Sequence, residues 1–327
     1  MTKPYVYVTR PVQEDGVTLL KTRCEVQIGT SEELAKEEFH QSLEKAFGVV
    51  VIDKKIDVET CEKIKDHCYI LANYGVGYDS IDVEAATKAG ILVTYNPGVV
   101  TDDTADLAMG LLLAVARRIP ESDLFVRAGE KDWRTLNLFG TKVSGKTLGI
   151  VGSGRIAQAM ARRAQGFDLK ILYTSRNQNR EFEEKCGATY VSKEELLSQS
   201  DFISLHIPGG SGTHHYLSEK EFHLMKKTAF LINTARGTVI DEKALVRALQ
   251  TRQIAGAGLD VFEREPEVEA ELLEMKNVVL NPHSGTRTLE TRNQMLENCS
   301  RAIFAVMDGQ IPVNCLNPEA LKNRQNN

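Results

Sequence analysis

The chain has 327 residues, of which 42% are hydrophobic and 26% are charged; this composition is typical of a soluble protein of about two domains and excludes fibrous and disordered chains. The 40 basic and 45 acidic side chains give a net charge of −5 without a long run of one sign, which disfavours nucleic-acid binding. No apolar run reaches the roughly 18 residues of a membrane span, and the N-terminus lacks an export signal, so we predict a cytoplasmic protein.

Short β-rich runs alternate with helical stretches along most of the chain, a pattern typical of parallel sheets covered by helices. In the first hundred residues, the runs predict strands over residues 5–9, 49–52, 69–72 and 91–94 and a helix over residues 31–47. The Asn96-Pro97-Gly98 sequence then breaks the pattern. We predict a small α/β domain that ends here.

A second series begins with a long helix from about residue 101 to 118, for which the polar residues 101–104 provide N-caps. Six further strands are predicted over residues 147–151, 169–174, 202–207, 230–233, 257–261 and 278–280. The remaining helical stretch, residues 290–308, is too short to be a domain. We therefore predict that residues 286–327 rejoin residues 1–98, and that residues 99–285 form an inserted second domain.

The first strand of the second series leads into Gly152-Ser153-Gly154-Arg155-Ile156-Ala157, a Gly-x-Gly-x-x-Ala loop. The first glycine permits a tight turn, the second lets the backbone approach a pyrophosphate, and the alanine lets the helix pack closely on the strand. The free N–H groups of the helix N-terminus would then face the phosphates. This loop predicts a bound dinucleotide.

The next strand ends in Ser175-Arg176-Asn177, where an NAD site normally places an acid against the ribose 2′-hydroxyl. No acid follows here. Ser175 can hydrogen-bond a 2′-phosphate, Arg176 can neutralise it, and Arg180 is a second candidate cation. The segment therefore favours NADP(H); the alternative left open is that Arg176 is only a solvated loop residue and that NAD(H) is accepted.

Three later strands are each followed by a residue suited to hydride-transfer chemistry, namely Arg236, Glu265 and His283. In open parallel sheets, ligands bind at these C-terminal strand ends. An imidazole can supply the proton that a 2-oxo acid needs on reduction, a carboxylate can orient that imidazole, and a guanidinium can bind the substrate carboxylate. Each residue alone is equally compatible with an ordinary loop position.

These segments, together with Tyr74-Gly75-Val76-Gly77-Tyr78-Asp79-Ser80-Ile81-Asp82, resemble the D-isomer-specific 2-hydroxyacid dehydrogenases, and most closely their glyoxylate/hydroxypyruvate reductase branch. The resemblance spans nearly the whole chain. It implies an α/β fold of two doubly wound parallel-sheet domains, with a Rossmann dinucleotide-binding domain inserted into a discontinuous flavodoxin-like substrate domain. It further implies a homodimer that reduces a small 2-oxo acid to the D-2-hydroxy acid with NAD(P)H.

The resemblance also implies roles for individual residues. His283 would be the acid/base, Glu265 its partner and Arg236 the substrate clamp, while the backbone of Val76 and Gly77 would hold the substrate carboxylate. Cofactor contacts would come from Thr104, Gly152, Ser153, Gly154, Arg155, Ile156, Ser175, Arg176, Asn177, Thr234, Ala235, Arg236, Asp260, His283, Ser284 and Gly285.

Two departures from the family pattern leave the substrate open. Gly209-Gly210 replaces the usual turn after the third strand of the second series, and Ser284 stands where many relatives have a β-branched residue. A 2-ketogluconate reductase or a general D-2-hydroxyacid dehydrogenase therefore remains an alternative. A non-catalytic NAD(H)-sensing co-repressor is more remote, because Arg236, Glu265 and His283 are all retained.

We predict no metal site. The six cysteines form no Cys-x-x-Cys pair, which indicates reduced thiols rather than zinc ligands. The histidines after the third strand of the second series, His214, His215 and His223, are predicted to be solvated.

Overall fold

The computed structural model describes residues 3–31, 34–133 and 138–325. The chain divides into two compact units, of which the first comprises residues 1–100 and 286–327 and the second residues 101–285. Within the described ranges, no helix is long and apolar enough to cross a membrane.

All strands of both units pair in parallel. In chain order they are β1 (Tyr5–Val8), β2 (Glu25–Ile28), β3 (Gly48–Val51), β4 (Ile70–Asn73), β5 (Leu92–Thr94), β6 (Thr147–Val151), β7 (Lys170–Thr174), β8 (Thr189–Tyr190), β9 (Phe202–Leu205), β10 (Phe230–Asn233), β11 (Gly256–Leu259) and β12 (Val278–Leu280).

The α-helices connect these strands. In chain order they are α1 (Glu14–Arg23), α2 (Lys36–Ser42), α3 (Val58–Ile64), α4 (Val83–Lys88), α5 (Thr101–Ala116), α6 (Ile119–Arg127), α7 (Arg155–Gln165), α8 (Arg180–Cys186), α9 (Lys193–Gln199), α10 (Glu219–Leu224), α11 (Glu242–Gln250), α12 (Ala270–Glu274), α13 (Leu289–Met307) and α14 (Ala320–Gln325). One 3-10 turn, Gly237–Val239, precedes α11.

The first unit is built on a five-stranded sheet with the order β2-β1-β3-β4-β5, the order of flavodoxin-like folds. Strands β3 and β4 are buried along their whole length, because helices cover both faces, and this explains their continuous apolar sequences. The predicted fold class of this unit is confirmed.

The second unit is built on a seven-stranded sheet with the order β12-β11-β10-β9-β6-β7-β8. The strand order reverses between β6 and β9, and in doubly wound sheets such a switch point is where ligands bind, outside the carboxyl ends of the strands. Apolar clusters cover both faces of the sheet. The predicted Rossmann topology is confirmed.

The structure differs from the predicted elements in two missed strands and one shorter helix. Strand β2 was missed, as was β8, so that the second sheet has seven strands rather than six. Both are edge strands, and their side chains are exposed or half-buried, which removes the apolar signal. The helix predicted over residues 31–47 forms only over α2, and beyond its end Lys45 adopts a left-handed conformation with φ of 65°, which a continuing helix excludes; Glu32 and Glu33 lie outside the described residues.

Five of the six cysteines are buried. Burial raises the pKa of the Cys61, Cys68 and Cys299 thiols to about 12.

Candidate active site

The dinucleotide loop lies between β6 and α7, and its geometry requires glycine at position 152. Gly152 has a φ of 112°, and a Cβ there would lie 2.4 Å from the carbonyl oxygen of His206. Gly154, the residue before α7, has no atom within 4 Å of a Cβ position, so its backbone faces open space. Behind it, Ala157 is fully buried. The loop therefore offers an accessible backbone surface that a phosphate can approach.

The first turn of α7 is suited to an anion. Gly154 provides no side-chain cap, and the turn contains no acidic residue, so the N–H groups of this 11-residue helix are left at its positive end. The carbonyl oxygen of Ser153 accepts hydrogen bonds from Gln158 Nε2 (3.2 Å) and Asn179 Nδ2 (3.1 Å), which fix the loop. Arg155 is exposed and Ile156 is half-buried.

The segment after β7 presents an exposed cation. Ser175 Oγ donates to the carbonyl oxygen of Asn177 (2.6 Å), and both Arg176 and Asn177 are exposed. Within the described residues, the guanidinium groups of Arg176 and Arg180 have neither a hydrogen bond nor an ion pair. A ligand phosphate would meet no competing acid on these arginines.

His283 and Glu265 form a hydrogen-bonded pair, with 2.7 Å between Nδ1 and Oε2. The other carboxylate oxygen of Glu265 accepts the backbone N–H of Phe262 (3.0 Å), so the carboxylate is fixed from both sides. His283 has a φ of 46°, and its N–H donates to the carbonyl oxygen of Asp260 (2.8 Å). No described residue hydrogen-bonds Nε2 of His283, which leaves this atom available to a substrate.

Pairing raises the pKa of His283 and lowers the pKa of Glu265. The hydrogen bond to Glu265 raises the pKa of His283 above its ordinary value, against the opposing effects of burial and the Arg236 charge. Burial raises the pKa of Glu265, but the hydrogen bonds from His283 and Phe262 and the nearby charges outweigh it, so that the pKa is lowered. Both directions favour a protonated imidazole beside an ionised carboxylate.

Asp260 organises the loop that carries His283. Its buried carboxylate accepts the backbone N–H groups of Ser284 (2.7 Å) and Gly285 (3.0 Å) and the side-chain amide of Asn281 (2.6 Å). A Cβ at Gly285 would lie 3.1 Å from Asp260 Oδ2 and 3.7 Å from Thr104. The structure thus brings together Thr104, Asp260, Ser284 and Gly285, all four of which the sequence assigned to the cofactor.

Arg236 follows β10, between Ala235 and the 3-10 turn. Its Nη1 donates to the carbonyl oxygen of Ala235 (2.7 Å), and its own carbonyl oxygen accepts from Asn233 Nδ2 (2.9 Å). Thr234, two residues earlier, has a buried Oγ1 without a hydrogen-bond partner. An unsatisfied buried hydroxyl is costly, and a polar ligand group at this position would satisfy it.

The unusual Gly209 lies against this arginine. A Cβ at Gly209 would be 3.1 Å from Arg236 Cγ, so the glycine lets the loop after β9 pack on the aliphatic part of Arg236. The departure from the family pattern therefore has a packing role beside the predicted clamp.

In the first unit, Val76 and Gly77 lie in a turn after β4 that the Asn73 side chain fixes. Asn73 Nδ2 donates to the carbonyl oxygens of Gly75 (2.8 Å) and Gly77 (2.9 Å). Among the described residues, the backbone N–H groups of Val76 and Gly77 have no hydrogen-bond acceptor. Successive free N–H groups of this kind can bind an anion.

Sequence analysis did not identify a hydrogen-bonded network that joins Glu242, Glu263 and His215 next to Glu265. Glu242 and Glu263 bind each other's backbone N–H groups, and His215 Nε2 lies 2.6 Å from Glu263 Oε1. His215 is thus half-buried and bonded to Glu263 rather than fully solvated, whereas His214 and His223 are exposed. These hydrogen bonds join segments that are distant in sequence, so no local motif predicts them.

One cluster among the described side chains has the geometry of metal ligands. Atoms of His214, His215 and Glu263 all lie within 4.8 Å of one another. The hydrogen bond between His215 and Glu263 already accounts for two of them. The absence of a metal stays a prediction.

Comparisons with known proteins find relatives that match the chain over nearly its whole length. A family model described as D-isomer specific 2-hydroxyacid dehydrogenase, NAD binding domain, matches residues 109–285. A glyoxylate reductase of Thermococcus litoralis is 48% identical, with 98% of each chain covered.

Two solved structures extend the likeness to the fold. An NADPH-dependent glyoxylate/hydroxypyruvate reductase of Sinorhizobium meliloti, in complex with NADP and malonate, has a TM-score of 0.86 at 31% identity, with 98% of each chain covered. A glyoxylate reductase of Paecilomyes thermophila has a TM-score of 0.85 at 34% identity, with 98% of this chain and 99% of that chain covered.

Proposed function

Because the chain belongs to the D-isomer-specific 2-hydroxyacid dehydrogenase family, it is an oxidoreductase that uses a nicotinamide dinucleotide, and we propose that it reduces glyoxylate to glycolate or hydroxypyruvate to D-glycerate. The observation that carries the proposal is the His283–Glu265 pair, which lies in the same unit as Arg236 and the dinucleotide loop. The names of the relatives at 48% and 31% identity support the substrate class.

The second unit has the features that a dinucleotide needs. The open backbone at Gly154, the uncapped N-terminus of α7 and the unsatisfied Thr234 hydroxyl each fit one of its polar groups. When bound, the nicotinamide supplies the hydride that reduces the substrate carbonyl carbon. The cofactor contacts assigned from the sequence remain part of this proposal.

His283 is the proposed proton donor. As hydride reaches the carbonyl carbon, the carbonyl oxygen develops negative charge and takes the proton from Nε2. Glu265 holds the imidazole through Nδ1 and raises the pKa of His283, which keeps the proton available near neutral pH. In the oxidation direction, the same nitrogen would accept the proton.

Arg236 is the proposed substrate clamp. A guanidinium is permanently charged and can engage a carboxylate and a carbonyl oxygen through parallel N–H groups, which lysine cannot do. The free N–H groups of Val76 and Gly77 are proposed to bind the substrate carboxylate as well. Arg236, Val76 and Gly77 would thus all bind negative charge on the substrate.

NADP(H) is the proposed preferred cofactor. Exposed Arg176 and Arg180, free of partners in the described chain, would pair with the 2′-phosphate, and Ser175 would hydrogen-bond it. The Sinorhizobium meliloti relative is described as NADPH-dependent. NAD(H) remains the alternative cofactor if Arg176 does not bind a 2′-phosphate.

A homodimer is part of the proposal. Helix α6 has no buried residue, and apolar side chains on and after it are exposed: Ile119 (53%), Leu124 (65%), Val126 (53%), Trp133 (64%) and Phe139 (81%). A second copy covering this surface would remove it from water. Light scattering on the purified chain would give a mass of two chains; a mass of one would contradict the dimer. The cytoplasmic location stays a prediction.

The direct test is initial-rate oxidation of NADPH and NADH with glyoxylate, hydroxypyruvate, pyruvate and 2-ketogluconate. We expect the highest kcat/KM with NADPH and glyoxylate or hydroxypyruvate. Faster turnover of 2-ketogluconate or pyruvate would assign one of the other dehydrogenase activities. Tight cofactor binding without turnover of any acid would favour the co-repressor type.

A further inference from the structure

The loop that carries Glu265 is held at both ends by one side chain. We define the Glu265 loop as residues 262–269. The backbone N–H of Glu263, near its start, donates to Glu242 Oε2 (2.8 Å), and that of Glu269, at its end, donates to Glu242 Oε1 (3.1 Å). Both oxygens of one carboxylate therefore bind the loop backbone.

A side chain of the Glu265 loop in turn binds the backbone of Glu242. Glu263 Oε2 accepts the backbone N–H of Glu242 (3.1 Å), and Glu263 Oε1 is bonded to His215. Glu242 is 6% exposed, and no ion pair with lysine or arginine involves either acid among the described residues. Burying a carboxylate is costly unless its hydrogen bonds are satisfied, and here the loop backbone satisfies them.

The Glu265 loop also packs against the residue that follows Arg236. A Cβ added to Gly237 would lie 1.8 Å from the carbonyl oxygen of Phe262, so the 3-10 turn after Arg236 packs directly on the start of the loop. From there, the N–H of Phe262 points to Glu265 and the next N–H, that of Glu263, points to Glu242. The positions of Glu242 and Glu265 are thus linked through one short stretch of backbone.

We propose that Glu242 is a positioning residue for the reduction, which holds the Glu265 loop so that the Glu265 carboxylate stays hydrogen-bonded to His283. This inference rests on the proposed function, because its value to the enzyme depends on His283 donating a proton. Glu242 touches neither member of the pair directly in the recorded hydrogen bonds. It acts through the backbone on which Glu265 is carried.

The first test is the pH dependence of glyoxylate reduction by Glu242→Gln. The amide can accept only one of the two backbone N–H groups, so one end of the loop is released. Because the Glu265 bond is the largest factor raising the pKa of His283, the high-pH limb of kcat should move to lower pH, with about a tenfold loss of kcat above the limb. KM should change less than about twofold.

Two further variants separate positioning from stability. Glu265→Gln removes the bond to His283 directly and should shift the limb at least as far, and the double variant should shift no further, because Glu242 acts through Glu265. Glu195→Gln is the matched control: its carboxylate likewise accepts a backbone N–H, that of Ser192 (3.0 Å), in the capping box of α9. It should leave the limb unchanged.

The second test does not depend on turnover. The His283 imidazole is titrated by ¹⁵N NMR in the full chain, with its signal assigned by loss in His283→Asn. A lower titration midpoint in Glu242→Gln, unchanged in Glu195→Gln, supports the inference even if wild type reduces no 2-oxo acid, an outcome that would end only the proposed function. If Glu242→Gln does not fold, Glu242→Asp, one methylene too short to span both N–H groups, carries the same readouts. An unchanged His283 midpoint with a lowered Tm would assign Glu242 a purely structural role and overturn the inference.

Discussion

The loops at the carboxyl edge of the second sheet are built in two ways. After β11 and β12, carboxylates fix the backbone: Asp260 binds the loop of His283, and Glu242 binds the loop of Glu265. After β7, Arg176 is exposed, and within the described chain its guanidinium has no partner.

The difference follows from what each loop is proposed to do. Proton transfer needs donor and acceptor within about 3 Å and correctly aligned, so the residues concerned must be held by their neighbours. Recognition of a phosphate by charge tolerates a mobile side chain, because attraction between charges varies slowly with angle. Substitutions in the fixed loops should therefore affect rate, whereas those after β7 should affect the choice of cofactor.

The largest effect is expected for His283→Gln and Arg236→Ala. Each removes a group proposed to act on the developing charge of the substrate, and kcat should fall by about 10² to 10³. His223→Gln, a change at an exposed histidine, is the control and should retain wild-type kcat. With circular dichroism unchanged, a loss of less than about threefold in either variant would remove that residue from the catalytic proposal.

Next in size is the pH-dependent effect of Glu265→Gln. In the proposed mechanism, reduction requires protonated His283, so the rate should be highest below the pKa of His283 and fall as pH rises through it. The Glu265 bond raises that pKa, and its loss should move the fall to lower pH, with kcat reduced about tenfold or more at pH 8 and much less at pH 6. An identical profile in the variant would show that Glu265 does not control the proton on His283.

The third effect should change cofactor choice rather than rate. Arg176→Ala removes an exposed cation proposed to pair with the 2′-phosphate, and kcat/KM for NADPH should fall about tenfold, equivalent to about 1.4 kcal/mol. The value for NADH should stay within about twofold, since NADH lacks that phosphate. Arg252→Ala, at another exposed arginine of the second unit, is the control. Equal losses with both cofactors would contradict the assignment.

The smallest effect is expected for Ser175→Ala. Its hydroxyl donates to the carbonyl oxygen of Asn177 and would have to exchange that acceptor for the phosphate, so the net gain should be only about 1 kcal/mol. The preference for NADPH over NADH should fall by about fivefold, and kcat with glyoxylate should not change. Ser198→Ala, in the exposed α9 turn of the same unit, should leave the preference intact.

Much of the fold could be predicted because most strands are recognisable from their own residues. The predicted bounds of β6, β10 and β12 agree with the structure, since apolar residues flanked by turn residues define them locally. In the edge strands β2 and β8, the side chains are exposed or half-buried, and the pairing of these strands is decided by neighbours distant in sequence.

The candidate site shows the same division. The Gly152–Ala157 loop, Arg236, Glu265 and His283 stand at strand ends, and their position and residue type suggested them. Glu242, Glu263 and His215 could not be found in this way, because their role depends on hydrogen bonds to groups 21 or more positions away.

The buried cysteines bear on how the protein withstands oxidants. Only a thiolate reacts readily with peroxides and alkylating agents, and with pKa values of about 12, Cys61, Cys68 and Cys299 are almost wholly protonated at cellular pH. None of the groups proposed to act on the substrate is a thiol. We therefore expect activity to survive treatment with iodoacetamide or dilute peroxide.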